Sequence, residues 1–203
     1  MNMIDSQPAT GPAIEGTDHA RGDQYRFLAT LLSAAPPQDL LNGIAGLSGD
    51  ATAFGQAVNA LASAAAGADA AQLEREFFAV FVGVGRGELL PYGSFYQTGF
   101  LNERPLAEVR TDLARLGVAR AEGRFEPEDH IALLFEVMAD MAHGQIAIGP
   151  DEQAAFFARH VAPWAGQFFD DLAVAPSARF YRTVAELGRL LVDIEARAFS
   201  LAA

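Results

Sequence analysis

The chain contains no cysteine, and it contains no lysine either, so all 14 of its basic residues are arginine. The missing cysteine excludes a disulfide framework, a thiolate metal site and a cysteine nucleophile. Basic charge is scarce as well: 14 arginines stand against 26 acids, for a formal net charge of −12. Phosphate contacts need a basic face, so this balance argues against nucleic acid as a partner. It leaves solubility, or a basic partner, as the reason for the acidity. No apolar run approaches the roughly 20 residues that a membrane-spanning helix needs. Met1 to Thr17 is polar, contains Gly and Pro, and lacks the apolar centre of a signal peptide. It reads as a disordered tail, and the expected location is cytoplasmic.

What is present is a chain of 203 residues, 51% of them hydrophobic. That is enough to bury a sizeable core in one domain, expected over residues 18–203. Apolar residues recur at helical spacing almost throughout, and no segment alternates as a strand does. The expected fold is therefore all-α, a single globule of about eight or nine helices. A hinge near residues 120–126 would allow two lobes.

A first helix is expected from Asp18 to Ala34, with Tyr25, Leu28 and Leu32 on one face and Pro36-Pro37 as its stop. A short helix carries Leu40, Leu41 and Ile44. A third carries Phe54, Val58, Leu61 and Ala65 and ends at Gly67. Leu73, Phe77, Val80 and Phe81 define a fourth within Ala68 to Val82. Gly83 to Gly99 reads as a loop. Helices then follow from Pro105 to Gly117, from Pro127 to His143, from Pro150-Asp151 with Phe156, Phe157 and Val161, after Pro163, and from Pro176-Ser177 onward, since Pro suits a first helical turn.

Two stretches stand out chemically. In Glu126-Pro127-Glu128-Asp129-His130, the acids suit the positive end of a helix dipole and Pro127 suits its first turn. His130 is left over, because a protonated ring has the wrong charge for that position. An Asp-His pair there serves as a cap, as a binding anchor, as an acid/base dyad or as metal ligands. The second stretch is Leu89-Leu90-Pro91-Tyr92-Gly93-Ser94-Phe95-Tyr96. Its aromatics either plug the core or offer Tyr92 and Tyr96 to a peptide. Ser94 lacks the Gly-x-Ser-x-Gly setting of a nucleophile elbow. Gly83-Val84-Gly85-Arg86-Gly87 follows a helix rather than a strand and lacks the Lys-Ser/Thr of a phosphate-binding loop. His143 and His160 lack metal spacing, and His160 is expected to complement a helix C-terminus while Trp164 packs.

These segments together resemble the TorD/DmsD-type maturation chaperones of molybdoenzymes. The matching parts are Tyr25-Arg26-Phe27-Leu28-Ala29-Thr30-Leu31-Leu32, then Glu76 to Gly83 followed by Pro91 to Tyr96, and then Glu126 to His130, which is similar to the family's Glu-Pro-x-Asp-His signature. His160 to Trp164 is similar to its His-x-x-x-Trp. The resemblance covers residues 20–200. It implies an all-helical cytoplasmic chaperone without turnover. It also implies binding of the twin-arginine signal peptide or the apo form of a molybdenum-cofactor enzyme, with assistance to cofactor insertion and export proofreading. The chaperone itself would need no cofactor, no metal and no catalytic residue. By the same resemblance, Asp129 and His130 take part in peptide recognition. Glu126, Tyr92, Ser94, Tyr96, Leu90 and Phe95 complete the candidate client-binding set. A monomer or a domain-swapped dimer is implied. Formate dehydrogenase, a DMSO-reductase-type sulfoxide or amine-oxide reductase and a nitrate reductase are all clients the resemblance allows, and the Pro91 to Gly99 loop with Leu101-Asn102-Glu103-Arg104-Pro105 leans towards the formate dehydrogenase. Substituting Asp129 or His130 by Ala should leave the fold intact and weaken client maturation.

Two other readings stay open on the residues alone. One is a small enzyme or metal-binding protein built on Asp129 and His130, with an acid such as Glu136. The other is a helical assembly module without a peptide groove.

Overall fold

The computed structural model describes residues 16–119 and 126–202. Among them are ten α-helices and no strand: α1 (Gly16–Ser33), α2 (Gln38–Ala45), α3 (Ala53–Ala66), α4 (Ala70–Phe77), α5 (Gly93–Thr98), α6 (Arg104–Arg115), α7 (Ile131–Ala142), α8 (Pro150–His160), α9 (Ala165–Val174) and α10 (Phe180–Ala202). The all-α expectation holds, with a longer count than eight or nine. The tail expected at the N-terminus lies outside the described residues, except that Gly16 and Thr17 open α1. The hinge expected near 120–126 falls on residues outside the description apart from Glu126.

The core is organised around α7. Nine of its twelve residues, including Ile131, Leu134, Phe135, Met138 and Met141, are buried. A helix that is apolar on every face belongs in the middle of a domain. α1 lies along α7 and also touches α10, while α10 packs against α9 and α3. The Tyr25 and Phe135 rings meet edge to face at 5.1 Å, and Phe135 meets Phe169 of α9 at 6.0 Å. Aromatic pairs at such distances add to what their buried area contributes. A buried polar link joins α1 to α10: the Tyr25 hydroxyl donates to Glu195 at 3.1 Å, and Arg21 lies 3.4 Å from the same carboxylate. Burial pushes the Glu195 carboxyl up, against the pull of Arg21.

Three boundaries differ from those expected, and each has a physical cause. The last helix begins at Phe180, not at Pro176-Ser177. Glu76 on α4 accepts the N–H groups of Arg179 (2.7 Å) and Tyr181 (2.9 Å), and Glu88 accepts the Ser177 N–H at 3.1 Å. A carboxylate from elsewhere in the chain thus caps α10 and pins its approach. α7 begins at Ile131 rather than Pro127. α5, six residues long, sits inside the stretch expected to be loop. The last two differences form the candidate site.

Candidate functional site

α4 does not stop at Phe77. It runs on as a π turn over Phe78–Val82, closed by the Gly83 N–H on the Phe78 carbonyl at 2.6 Å. Gly83 then leaves with φ +63, a conformation that costs glycine little. Such wide turns recur at functional sites. Here Phe77 and Phe81 pair at 5.0 Å and face inward, while Phe78 and Val82 are about half exposed.

The chain returns through Leu89 and Pro91 and crosses the Glu126–His130 segment as a single antiparallel bridge between Tyr92 and His130. The Gly93 N–H donates to the Asp129 carbonyl and the Ile131 N–H to the Pro91 carbonyl, both at 2.9 Å. This crossing holds residues 126–130 in a turn and an extended step, with the His130 N–H on the Pro127 carbonyl at 3.1 Å, so no helix starts at Pro127. His130 is instead the N-cap of α7: its Nδ1 accepts the Ala132 N–H at 3.1 Å. An accepting Nδ1 is unprotonated, which removes the charge conflict that the sequence poses. Asp129, almost fully buried, caps the other helix. Its Oδ2 accepts the Ser94 N–H at 2.7 Å, in the first turn of α5. The two residues of the signature therefore cap two helices, and each directs an acceptor at a backbone amide.

Around this crossing opens a cleft of about 430 Å³. Its apolar walls include Phe77, Phe81, Val82, Pro91 and Leu133; its polar walls are Tyr92, Glu126, His130 and Ser33. The Tyr92 ring meets His130 edge to face at 5.1 Å, and its hydroxyl donates to Glu126. Burial, then the Glu126 hydrogen bond, push the Tyr92 hydroxyl well above its ordinary value, so it stays a donor. Glu128 leans away onto Arg110 of α6 at 2.8 Å.

Of the eight residues expected to contact a client, the cleft brings together Tyr92, Glu126 and His130. Asp129 and Ser94 lie buried behind it. Phe95 sits under the Arg86 guanidinium at 5.3 Å. Leu90 is half-buried and outside the cleft walls. Tyr96 stacks on Trp164 at 5.4 Å. Phe77, Phe81, Val82 and Leu133 line the cleft without having been named as client contacts, because their spacing is that of ordinary core residues.

The His160 to Trp164 segment supports the site from below. The Trp164 Nε1–H donates to the His160 carbonyl at 2.7 Å. Gly93 passes so close that an added Cβ would lie 2.9 Å from that nitrogen. His160 is buried rather than exposed at a helix end, and its Nε2 meets Asp112 of α6 at 2.7 Å, beside Arg159 at 2.6 Å. Burial lowers the His160 pKa more than Asp112 raises it. The native state thus resists a proton that the unfolded chain accepts near pH 6.5. Stability is full above that pH and falls as pH drops through the window toward the lower native value. The expected result is a denaturant midpoint that decreases on acidification, with a shallower decrease in His160→Gln; equal slopes in the two proteins would rule the ring out.

Among the described residues, no group of three or more His, Asp or Glu is placed to hold a metal ion. No described helix is long and apolar enough to cross a membrane.

Residues 48–170 match the family described as nitrate reductase delta subunit. The chain is 26% identical over 131 residues to the chaperone protein TorD of Vibrio cholerae serotype O1, covering 60% of each chain. It is 26% identical over 190 residues to the TorD of Aliivibrio fischeri, covering 82% of this chain and 88% of that one. Its fold is similar to the crystal structure of a protein described as a redox enzyme maturation protein from Archaeoglobus fulgidus. That match has a TM-score of 0.58 at 18% identity and covers 90% of this chain and 98% of the other.

Proposed function

This chain belongs to the nitrate reductase delta subunit family, which takes in the TorD chaperones, and on that premise we propose that it is a chaperone for a molybdenum-cofactor oxidoreductase, acting in the cytoplasm. It holds the N-terminal signal segment of the apo-client, or the adjoining body, until the cofactor is inserted. The observation that carries this reading is the cleft, where the Glu126 carboxylate and an apolar wall face one space. A signal segment with basic residues followed by apolar ones complements both parts: Glu126 supplies a carboxylate, and Phe77, Phe81, Val82 and Leu133 supply the apolar run. Phe78 and Val84, next to the cleft-lining residues in the chain, are exposed as well. A formate dehydrogenase is the favoured client.

The test is genetic and chemical together. A client molybdoenzyme is expressed with and without this chain, and its molybdenum content per subunit is measured. The expected result is a severalfold loss of molybdenum and activity without the chaperone. Equal molybdenum content in both preparations would end the proposal.

A further inference from the structure

A buried titratable cluster lies outside the cleft, where α6 meets α8. Asp112 projects from α6 among Leu106, Val109 and Leu113 and is buried with them. Its Oδ2 is 2.7 Å from His160 Nε2 and 2.6 Å from Arg159 Nη1, and its Oδ1 is 3.6 Å from Arg115 Nε. Arg115 reaches on to Glu152 of α8 at 3.0 Å, and Glu108 pairs with Arg104 at 3.1 Å. Against burial, the hydrogen bonds from His160 and Arg159 hold the Asp112 carboxyl below its ordinary range, so it stays an acceptor and His160 Nε2 carries the hydrogen. α7, which also packs on α8, carries Glu136 and Asp140, and Asp140 is bonded to Arg26 of α1. At the junction itself three arginines (104, 115 and 159) face three carboxylates (108, 112 and 152), so the charges balance while the His160 ring is neutral. That ring is 3% exposed, with Phe156 edge-on at 4.7 Å. A proton there adds a buried charge with no counterpart.

Both partners of the Asp112–His160 bond are tied to the walls of the cleft. The His160 carbonyl takes the Trp164 Nε1–H at 2.7 Å, and Trp164 is the ring against which Gly93, next to Tyr92, is fitted. On α6, two residues before Asp112, Arg110 Nε donates to Glu128 at 2.8 Å, within the stretch that carries Glu126, Asp129 and His130. α6 also packs on α5. A pocket of about 460 Å³, lined by Glu108, Thr111, Asp112 and Arg159 among others, borders the junction and gives protons a path to it.

We propose that Asp112 and His160 are positioning residues for the cleft: the neutral His160 ring, bonded to the Asp112 carboxylate, clamps α6 to α8, and a proton on that ring releases α6 and with it the supports of α5 and of residues 126–130. The consequence for the client rests on the reading of the cleft as the client site. Burial holds the His160 ring below its ordinary 6.5, so the clamp is closed near neutrality and opens as the pH falls through that lower native value. Moving α6 off α8 lets water reach the imidazolium and relieves the unmatched buried charge. Glutamine at position 160 offers Asp112 an N–H and takes up no proton, so it keeps the clamp and removes its response to pH. Alanine offers no donor and leaves the Asp112 side of the clamp open at every pH.

The test uses the full chain and two readouts. Amide exchange, corrected for the chemical exchange rate, is followed from about pH 8 to about pH 5 in wild type, His160→Gln and His160→Ala. In wild type, residues 93–98, 104–115 and 126–131 should exchange at least about threefold faster at the acid end, while α3, which lies away from the junction, keeps its rate. His160→Gln should stay slow throughout, and His160→Ala should be fast in these segments throughout. The second readout is the anisotropy of a fluorescein-labelled peptide with a basic stretch followed by a leucine-alanine run. Its affinity for wild type should fall about three- to tenfold over the same range, and this fall should vanish in His160→Gln. Equal acid response of exchange in wild type and His160→Gln, or acceleration spread evenly over all helices including α3, would overturn the clamp. Peptide affinity that ignores pH in wild type while exchange responds would show that α6 does not position the cleft, and it overturns the proposal too. If exchange responds as expected and no protein binds the peptide at any pH, the client reading of the cleft falls and the clamp of α6 on α8 stands.

Discussion

Trp164→Ala should lose about 3–5 kcal/mol of stability, the range for deleting a fully buried large aromatic side chain. That is a large share of the 5–15 kcal/mol that a domain usually has. The size follows from how many parts meet at one ring. Trp164 is buried, stacks on Tyr96, meets Phe168 edge to face at 6.0 Å, and bonds to the His160 carbonyl. It also fills the space against which Gly93 is fitted. Its loss leaves a cavity under α5 and a carbonyl without its donor. Since Trp164 is the only tryptophan, denaturation of the variant is followed by circular dichroism rather than by fluorescence. The floor of α5 goes with the ring, so client binding should fall even in conditions where the variant remains folded. A loss under about 1 kcal/mol would mean that α5 is not seated on this ring.

The second large effect is at Asp129, where charge and capping can be separated. The sequence alone suggests that Asp129→Ala leaves the fold intact; the geometry leads elsewhere. Asp129 is 1% exposed, and its Oδ2 is the acceptor for the Ser94 N–H. Alanine strands that amide at the start of α5, which should cost about 2–3 kcal/mol, as losing a cap and a buried acceptor together does. Part of that loss is offset, because the unpartnered Oδ1 also disappears. Asparagine has the same shape and keeps an oxygen for the Ser94 N–H, so the cap survives while the charge is lost. Asp129→Asn should therefore stay within about 1 kcal/mol of wild type while binding a cationic client segment at least about tenfold more weakly. Chemical denaturation and peptide titration of the two variants separate the roles. Equal binding by Asp129→Asn and wild type would leave Asp129 as a cap alone. His130→Ala, which removes the α7 N-cap, should cost about 1 kcal/mol.

The long helices are legible because their apolar spacing is local information. Tyr25, Leu28 and Leu32 on α1, or Phe180, Val184, Leu187 and Leu191 on α10, announce a buried stripe, and all seven are buried. What cannot be read is set by residues far apart in the chain. Pro127 looks like a first helical turn because nothing nearby shows that Tyr92 will pair with His130 and hold this stretch extended. The cap of α5 comes from Asp129 and the cap of α10 from Glu76, both from outside their own helices. The π turn at Phe78–Val82 carries no composition signal at all. Of the site, Tyr92, Glu126 and His130 are visible because their residue types exceed what a turn or a cap requires. Phe77, Phe81 and Leu133 are not visible, because a phenylalanine or leucine lining a cleft has the same spacing as one filling a core.

The central claim is that a client segment lies in the cleft between the π turn and the Tyr92–His130 crossing. Hydrogen–deuterium exchange of the protein, with and without the N-terminal segment of its client, tests that location directly. Binding should slow exchange at residues 77–83, 90–96 and 126–133, and the effect should weaken with added salt, as cation–carboxylate contacts near a surface do. A second groove, of about 380 Å³ and lined by Phe27, Leu40, Ile44, Phe54 and Val58, serves as the internal control. Protection confined to that groove, with none at 77–83 or 126–133, would contradict the account.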